Sequence, residues 1–99
     1  MELDKVYTQV RVESLTLTRL QTWPVSYRLD LCFHSAVGDV CVALSGLRDT
    51  DSVGQIMLAE RVWLEVSEVD LLESGRYLLG VAHETYTELV FDEIVPPGC

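Results

Sequence analysis

Cysteine and histidine side chains lie close together near the middle of the sequence, where they could bind a metal ion. Cys32 and His34 are two residues apart, so a strand would place them on one face, and Cys41 on the next strand would join them. A tetrahedral zinc site needs four such ligands, or three and a water molecule, and no fourth ligand is evident. Buried cysteine is also common without any metal. A small metal-binding or thiol-based domain that uses Cys32, His34 and Cys41 is therefore the alternative interpretation of this chain.

Residues suited to catalysis are few. His34 and His83 are the only imidazoles, and the chain contains neither a glycine-rich phosphate loop nor a Gly-x-Ser-x-Gly elbow. Asp30, Cys32 and His34 include the groups of a thiol site, but along one strand they would simply alternate with apolar residues. We therefore predict a protein that is not an enzyme and that carries no cofactor or metal ion.

The stretch that must position these groups covers residues 25–33. Its apolar residues alternate strictly with smaller or polar ones, which is typical of a strand with one buried face. A turn at Gly38-Asp39 would then place Phe33 opposite Leu44, and it would bring the apolar residues of both strands to the same face. The sequence therefore predicts a β-hairpin with this register.

The predicted hairpin bears on the oxidation state of the cysteines. In this register Cys32 lies opposite Ser45 and Cys41 lies opposite Ala36, so the two cysteines are not cross-strand partners. An odd number of cysteines without metal-type spacing also fits reduced thiols in a reducing compartment. We predict that Cys32, Cys41 and Cys99 are reduced and that Cys99 is the accessible one.

Further strands flank this hairpin. The run over residues 6–19 changes the parity of its apolar positions, so it needs a β-bulge near Glu13-Ser14. Alternation also predicts strands over residues 61–67, 76–82 and 85–95, with a helical turn between residues 67 and 75 and a loop over residues 46–54. The predicted fold class is all-β, a small antiparallel sandwich or partly open barrel of about 6–7 strands with at most one short helix.

Length and composition set the wider frame. Ninety-nine residues predict a single domain over residues 1–99, with a frayed tail over residues 96–99. The first residues lack the basic flank and apolar run of a secretory signal, and the chain has no continuous apolar run long enough to span a bilayer. We therefore predict a soluble, cytoplasmic protein.

Negative charge is concentrated in the second half of the chain. Residues 1–48 contain five acidic and five basic residues, whereas residues 49–99 contain eleven acidic residues against Arg61 and Arg76, which accounts for the whole net charge of −9. Phosphate backbones and anionic lipids attract clustered Lys and Arg instead. The sequence therefore argues against nucleic acid and membrane partners and favours a basic protein partner.

The last third of the chain resembles a pattern in small acidic bacterial β-proteins. Trp63-Leu64-Glu65-Val66-Ser67 is followed by Leu71-Leu72-Glu73-Ser74-Gly75-Arg76-Tyr77, then by Glu84 and by the closing strand Glu88-Leu89-Val90-Phe91-Asp92-Glu93-Ile94. Some of these proteins are uncharacterised, and others are immunity proteins of polymorphic toxin systems. The resemblance implies a cytoplasmic, acidic binding protein that neutralises a cognate toxin.

These observations together predict a non-catalytic, acidic protein-interaction module, such as an immunity or inhibitor protein that binds a basic partner. Exposed acids would speed the encounter, and an aromatic anchor such as Trp63 would supply affinity. Edge strands would also allow a homodimer. The predicted partner-binding residues are Trp63, Glu65, Glu68, Asp70, Glu73, Glu84, Glu88, Asp92 and Glu93.

Overall fold

Two antiparallel four-stranded sheets make up the fold, in a computed structural model that describes residues 1–23, 25–48, 50–66 and 77–95. The strands are β1 (Val6–Tyr7), β2 (Arg11–Arg19), β3 (Tyr27–Ser35), β4 (Gly38–Leu47), β5 (Arg61–Val66), β6 (Tyr77–Ala82), β7 (Tyr86–Phe91) and β8 (Glu93–Val95), and the helix α1 spans Val53–Ile56. The first sheet has the order β1-β5-β6-β7 and the second has the order β2-β3-β4-β8. The predicted all-β sandwich is confirmed.

The first long apolar run is divided between the two sheets. β1 pairs with β5 in the first sheet, whereas β2 pairs with β3 in the second. The chain crosses over near Gln9, whose φ is 52°. The bulge predicted near Glu13-Ser14 is present, because the register of β2 shifts between Val12 and Ser14. The shift lets Val12 and Leu15 both pack against the core despite their opposite parity.

The hairpin of β3 and β4 turns at Ala36-Val37, and the turn predicted at Gly38-Asp39 is wrong. Gly38 has a φ of 113°, a left-handed value that glycine adopts without strain. The Ser35 hydroxyl donates to the Gly38 carbonyl at 2.9 Å and accepts the N–H of Val37 at 3.3 Å. Glycine therefore serves the position after the turn rather than its centre.

This turn places Cys32 directly opposite Cys41, and the two residues form a disulfide with their Cα atoms 4.1 Å apart. The prediction of reduced thiols is wrong for both residues, because the predicted register that kept them apart is wrong and neither the odd number of cysteines nor their spacing excluded one disulfide. Disulfides persist mainly in oxidising compartments. The cysteine argument for the cytoplasm therefore fails, and Cys99 lies outside the described residues.

The remaining predicted strands are present. Those over residues 61–67, 76–82 and 85–95 correspond to β5, β6 and β7, but the last run also crosses between sheets, and its final part, β8, pairs with β4. The loop predicted over residues 46–54 begins inside β4 and ends in the short helix α1. The helical turn predicted between residues 67 and 75 and the tail over residues 96–99 lie outside the described residues.

The hydrophobic core lies between the two sheets. Alternate residues of the strands face inward, and the edge of the Tyr7 ring meets Phe33 with the ring centroids 5.6 Å apart. The largest fully buried side chains are Phe33, Phe91, Leu29, Leu31, Leu44, Leu47, Ile56, Leu64, Leu79, Val62 and Val81. Each such side chain contributes about 1.5–3 kcal/mol to folding. In the described part of the chain, no helix has the length and apolar character needed to cross a membrane.

Candidate functional site

The outer face of the first sheet carries two aromatic rings among acidic side chains. Buried apolar residues occupy alternate positions of β5 and β7, which leaves the residues between them pointing outward. We call this surface the Trp63–Tyr86 face, and it consists of Val6, Arg61, Trp63, Glu65, Leu78, Tyr86, Glu88 and Val90. It combines exposed apolar area with negative charge.

Trp63 lies across the central strand β6 at its glycine. Trp63 pairs with Gly80, and Glu88 of β7 follows in the same cross-strand row. A Cβ atom at Gly80 would overlap the indole atoms Cε2, Cζ2 and Nε1. The absence of a side chain at this position therefore creates the space that the indole occupies.

Tyr86 stacks on Trp63. The ring centroids are 5.3 Å apart and the ring planes differ by 15°, which is an offset-stacked arrangement. Such pairs contribute about 0.5–1.5 kcal/mol beyond the area that they bury. Tyr86 nevertheless remains 54% exposed, and Trp63 is half-buried. The exposed Tyr86 ring, stacked on the indole, therefore gives this face an aromatic surface that is open to solvent.

Two carboxylates lie beside this aromatic pair. Burial, a hydrogen bond to Glu88, and the negative charges of Glu88 and Glu65 together raise the pKa of Tyr86 from 10.0 to about 12. Each of these effects disfavours the tyrosinate anion. The same negative potential that disfavours an anion at Tyr86 favours a cation placed on the rings.

A groove of about 370 Å³ borders the aromatic pair on the side of β1. Its lining residues are Asp4, Val6, Arg61, Trp63 and Glu65. Arg61 forms no ion pair with any residue in the described ranges. The groove therefore contains two carboxylates and one cation, so its lining is negative overall.

The structure brings together only some of the predicted partner-binding residues. Trp63, Glu65 and Glu88 lie together on the Trp63–Tyr86 face. Glu84 lies exposed in the turn between β6 and β7, whereas Glu93 belongs to β8 in the second sheet. Asp92 lies where the chain crosses between sheets, with its carboxylate 3.6 Å from the Arg48 guanidinium. Glu68, Asp70 and Glu73 lie outside the described residues.

Tyr86 and Gly80 are members of the site that the sequence prediction missed, although both left a signal. Tyr86 and Glu88 lie on one face of β7, and the opposite face includes the buried Phe91. An isolated glycine inside a strand, as at position 80, often marks a close approach by another group. The parity of β7 and the glycine of β6 together point to the aromatic pair.

The alternative interpretation required free thiolates at Cys32 and Cys41. Both sulfur atoms are bonded to each other, so neither is a thiolate that could coordinate a metal ion. His34 lies on the same face of β3 as Cys32, as predicted, but its partner is elsewhere. The proposed ligand set of Cys32, His34 and Cys41 is not available in this disulfide-bonded state.

His34 instead belongs to an exposed cluster with Glu13 and Asp39. Ligand-type atoms of the three side chains lie within 4.8 Å of one another, and His34 Nδ1 is 2.8 Å from Asp39 Oδ1. The hydrogen bond from His34 is the largest influence on the pKa of Asp39, which lies below its ordinary value. Exposed groups of this kind commonly satisfy one another without a metal ion, and we assign no binding site here.

Comparisons with protein-family models, with curated proteins and with solved structures give no match for this chain.

Proposed function

We propose that this protein is a non-catalytic binding module that captures a basic protein segment on the Trp63–Tyr86 face. One observation carries the proposal: an aromatic pair, held in place over Gly80, lies exposed beside the carboxylates of Glu65 and Glu88. The rings supply apolar contact area, and the acids select the charge of the partner.

Aromatic side chains support this proposal because they dominate the energetics of protein interfaces. Trp and Tyr are enriched among the residues whose truncation costs the most binding energy. Their rings offer a large contact area with few rotatable bonds, so little conformational entropy is lost on binding. Trp63 is already fixed by Gly80 and Tyr86, which lowers that entropy cost further.

The charge of the molecule supports a basic partner. The chain has a net charge of −9, and Asp4, Glu65 and Glu88 outnumber Arg61 around the aromatic pair. Complementary charge speeds association and suppresses partners of the same sign. A partner surface rich in Lys or Arg therefore fits this face.

The contacts of the two histidines favour binding over catalysis. His34 pairs with the carboxylate of Asp39, and His83 Nε2 lies 2.8 Å from Gln55 Oε1. General-base catalysis in acyl transfer places an imidazole against a hydroxyl or thiol nucleophile. Here the side-chain partners of the two rings are a carboxylate and an amide, and in the described residues neither ring is bonded to a hydroxyl or thiol.

An immunity or inhibitor role is the specific form of this function that we propose, with a toxin as the basic partner. It rests on the resemblance of the last third of the chain, in which Trp63, Glu65 and Glu88 all lie. Localisation in the cytoplasm stays a prediction, and the cysteines no longer support it because two of them form a disulfide. A homodimer through edge strands also stays a prediction, with β2 and β7 as the longer edges.

Selection from a random peptide library tests the proposed function. Peptides retained by the immobilised, folded protein should be enriched in Lys and Arg, and their binding should weaken as salt increases. Tyr86→Leu, at an exposed position, should weaken binding of a selected peptide by about tenfold. The double substitution Glu65→Gln/Glu88→Gln should also weaken peptide binding, and the loss of affinity should be larger at low salt than at high salt.

A matched double substitution separates this face from general acidity. Glu13→Gln/Glu93→Gln removes the same number of negative charges from the second sheet. It should leave peptide affinity within about twofold of the unmodified protein, since the charges lie outside the binding face. Equal losses from both double substitutions, or selection of peptides with no excess of basic residues, would refute the proposal.

A further inference from the structure

We propose that the Trp63–Tyr86 pair binds an arginine side chain of the partner, whose guanidinium group stacks on the rings and pairs with Glu88 or Glu65. This inference rests on the proposed function, because it names the group that the basic partner presents. It is distinct from a general attraction between an acidic and a basic surface, since it requires one planar cation at one place.

The shape of the site favours a planar group. The two ring planes lie within 15° of each other, and Gly80 lets the indole lie across the sheet. A guanidinium group is planar and weakly hydrated, and it stacks readily on aromatic faces. The lysine ammonium group is compact and strongly hydrated, so it gains less from a flat surface.

The strand register supplies the hydrogen-bond acceptors. Glu88 lies in the same cross-strand row as Trp63 and Gly80, so its side chain extends from a position next to the rings. Glu65 is two residues from Trp63 on the same face of β5. Both carboxylates therefore lie beside the aromatic pair, where their negative charges also help to raise the pKa of Tyr86. A stacked guanidinium, with its five N–H donors, can therefore pair with a carboxylate while remaining on the rings.

Other groups that stack on aromatic rings fit this site less well. Nucleic acid bases stack on Trp and Tyr, but the phosphates beside them would be repelled by Glu65 and Glu88. The flat face of a sugar could also pack on the rings, although it would leave the carboxylates without a cation. The charges around the rings therefore favour arginine.

Three blocked amino acids that differ only in the side-chain head group test the inference. N-acetyl-arginine amide, N-acetyl-lysine amide and N-acetyl-citrulline amide are titrated into the folded protein, and the Trp63 indole N–H resonance is followed by NMR. Trp23→Phe serves as the background so that Trp63 gives the only indole signal. The arginine compound should shift this resonance, and its affinity should exceed that of the lysine compound by about fivefold or more. The citrulline compound, which is planar but neutral, should not shift it.

Variants assign the contacts. Glu65→Gln/Glu88→Gln and Tyr86→Leu should each reduce the arginine affinity by about fivefold or more, whereas Glu13→Gln/Glu93→Gln should not. A citrulline shift equal to that of arginine would overturn the inference, because charge would then be irrelevant. Saturable binding of a neutral oligosaccharide at Trp63, without an arginine effect, would overturn it in favour of a sugar site.

The outcomes also separate this inference from the proposed function. If lysine and arginine bind equally and both depend on Glu65 and Glu88, the proposed arginine site is refuted, while the proposed capture of a basic partner on the Trp63–Tyr86 face stands. If none of the three compounds moves the Trp63 resonance and the peptide selection shows no excess of basic residues, both proposals fail. A preference for arginine that Tyr86→Leu abolishes supports both.

Discussion

The indole of Trp63 occupies the position above Gly80 in which the side chain of any other residue would stand. Two strands therefore form this part of the Trp63–Tyr86 face together, since β5 supplies the ring and β6 has no side chain at the position that the ring occupies. Tyr86 on β7 completes the arrangement by stacking on the same indole. The aromatic surface is thus a property of three adjacent strands rather than of one exposed residue.

Gly80→Ala should displace the Trp63 indole without unfolding the protein. The added methyl group overlaps the ring, while the reduced entropy of the unfolded chain offsets part of the lost packing, so the free energy of unfolding should change by less than about 1.5 kcal/mol. In a Trp23→Phe background, the fluorescence emission of Trp63 should shift to the red as the indole moves into water. Gly54→Ala is the matched control, because its added Cβ would meet no atom within 4 Å apart from its chain neighbours and the backbone of its own helix. An unshifted emission maximum in Gly80→Ala would contradict the described packing.

Removing the disulfide should destabilise the protein. Cys32 and Cys41 are nine residues apart, and closing a loop of this size stabilises the folded state by about 2–3 kcal/mol through the entropy of the unfolded chain. Urea denaturation of Cys32→Ser/Cys41→Ser should therefore give a free energy of unfolding lower by this amount. Treating the unmodified protein with a reductant should produce a similar loss and leave the double variant unaffected. If reduction has no effect on the unmodified protein, the two cysteines are not bonded in solution.

In the hairpin of β3 and β4, the sequence pattern predicted which residues are buried but not how the two strands pair. The predicted register pairs Phe33 with Leu44, whereas the structure pairs Phe33 with Val40. The two registers differ by four positions, so each side chain keeps its face and the same apolar residues are buried in both. Hydrophobic alternation predicted the faces correctly but could not choose between these registers. The choice depends on Gly38, which adopts a left-handed φ after the turn instead of within it.

The candidate site was predictable to the extent that it depends on alternation within one strand. Alternation predicted the strand over residues 61–67, and Trp63, Glu65 and Glu88 were among the predicted partner-binding residues. The crossing of the chain between sheets near Gln9 and at Asp92 has no glycine or proline to mark it in the sequence. The hairpin of β6 and β7 follows from their short connection, but without these crossings the pairing of β1 with β5 and the separation of Glu93 from Glu88 could not be derived.

His34→Gln should raise the pKa of Asp39 toward its ordinary value. The hydrogen bond from His34 is the main cause of the lowered pKa, and the charge of His34 adds to it. A carboxyl group whose pKa is lower in the folded state stabilises that state above its unfolded pKa, and the contribution is lost as the pH falls through the folded pKa. NMR titration of the Asp39 carboxyl carbon in both proteins measures the change. His83→Gln should leave that titration unchanged, since His83 bonds to Gln55.

Glu88→Gln should lower the pKa of Tyr86 from about 12 while leaving it above 10.0. Glu88 raises this pKa through a hydrogen bond and through its charge, but burial is the largest cause and is unchanged in the variant. Because the folded pKa of Tyr86 exceeds its unfolded value, the stabilisation is fully present below about 10 and is lost as the pH rises toward about 12. The variant should therefore lose stability less steeply over this alkaline range than the unmodified protein.

Protein labelled with carbon-13 at the tyrosine Cζ resolves the titration of Tyr86 from those of the other tyrosines and measures this pKa directly. Glu93→Gln is the matched control, because it removes one negative charge from β8 in the second sheet. Its Tyr86 titration should coincide with that of the unmodified protein, since an exposed charge on the other sheet is screened from the phenol. If Glu88→Gln and Glu93→Gln change the pKa of Tyr86 equally, Glu88 does not lie against the aromatic pair, and the negative potential there arises from the net charge alone.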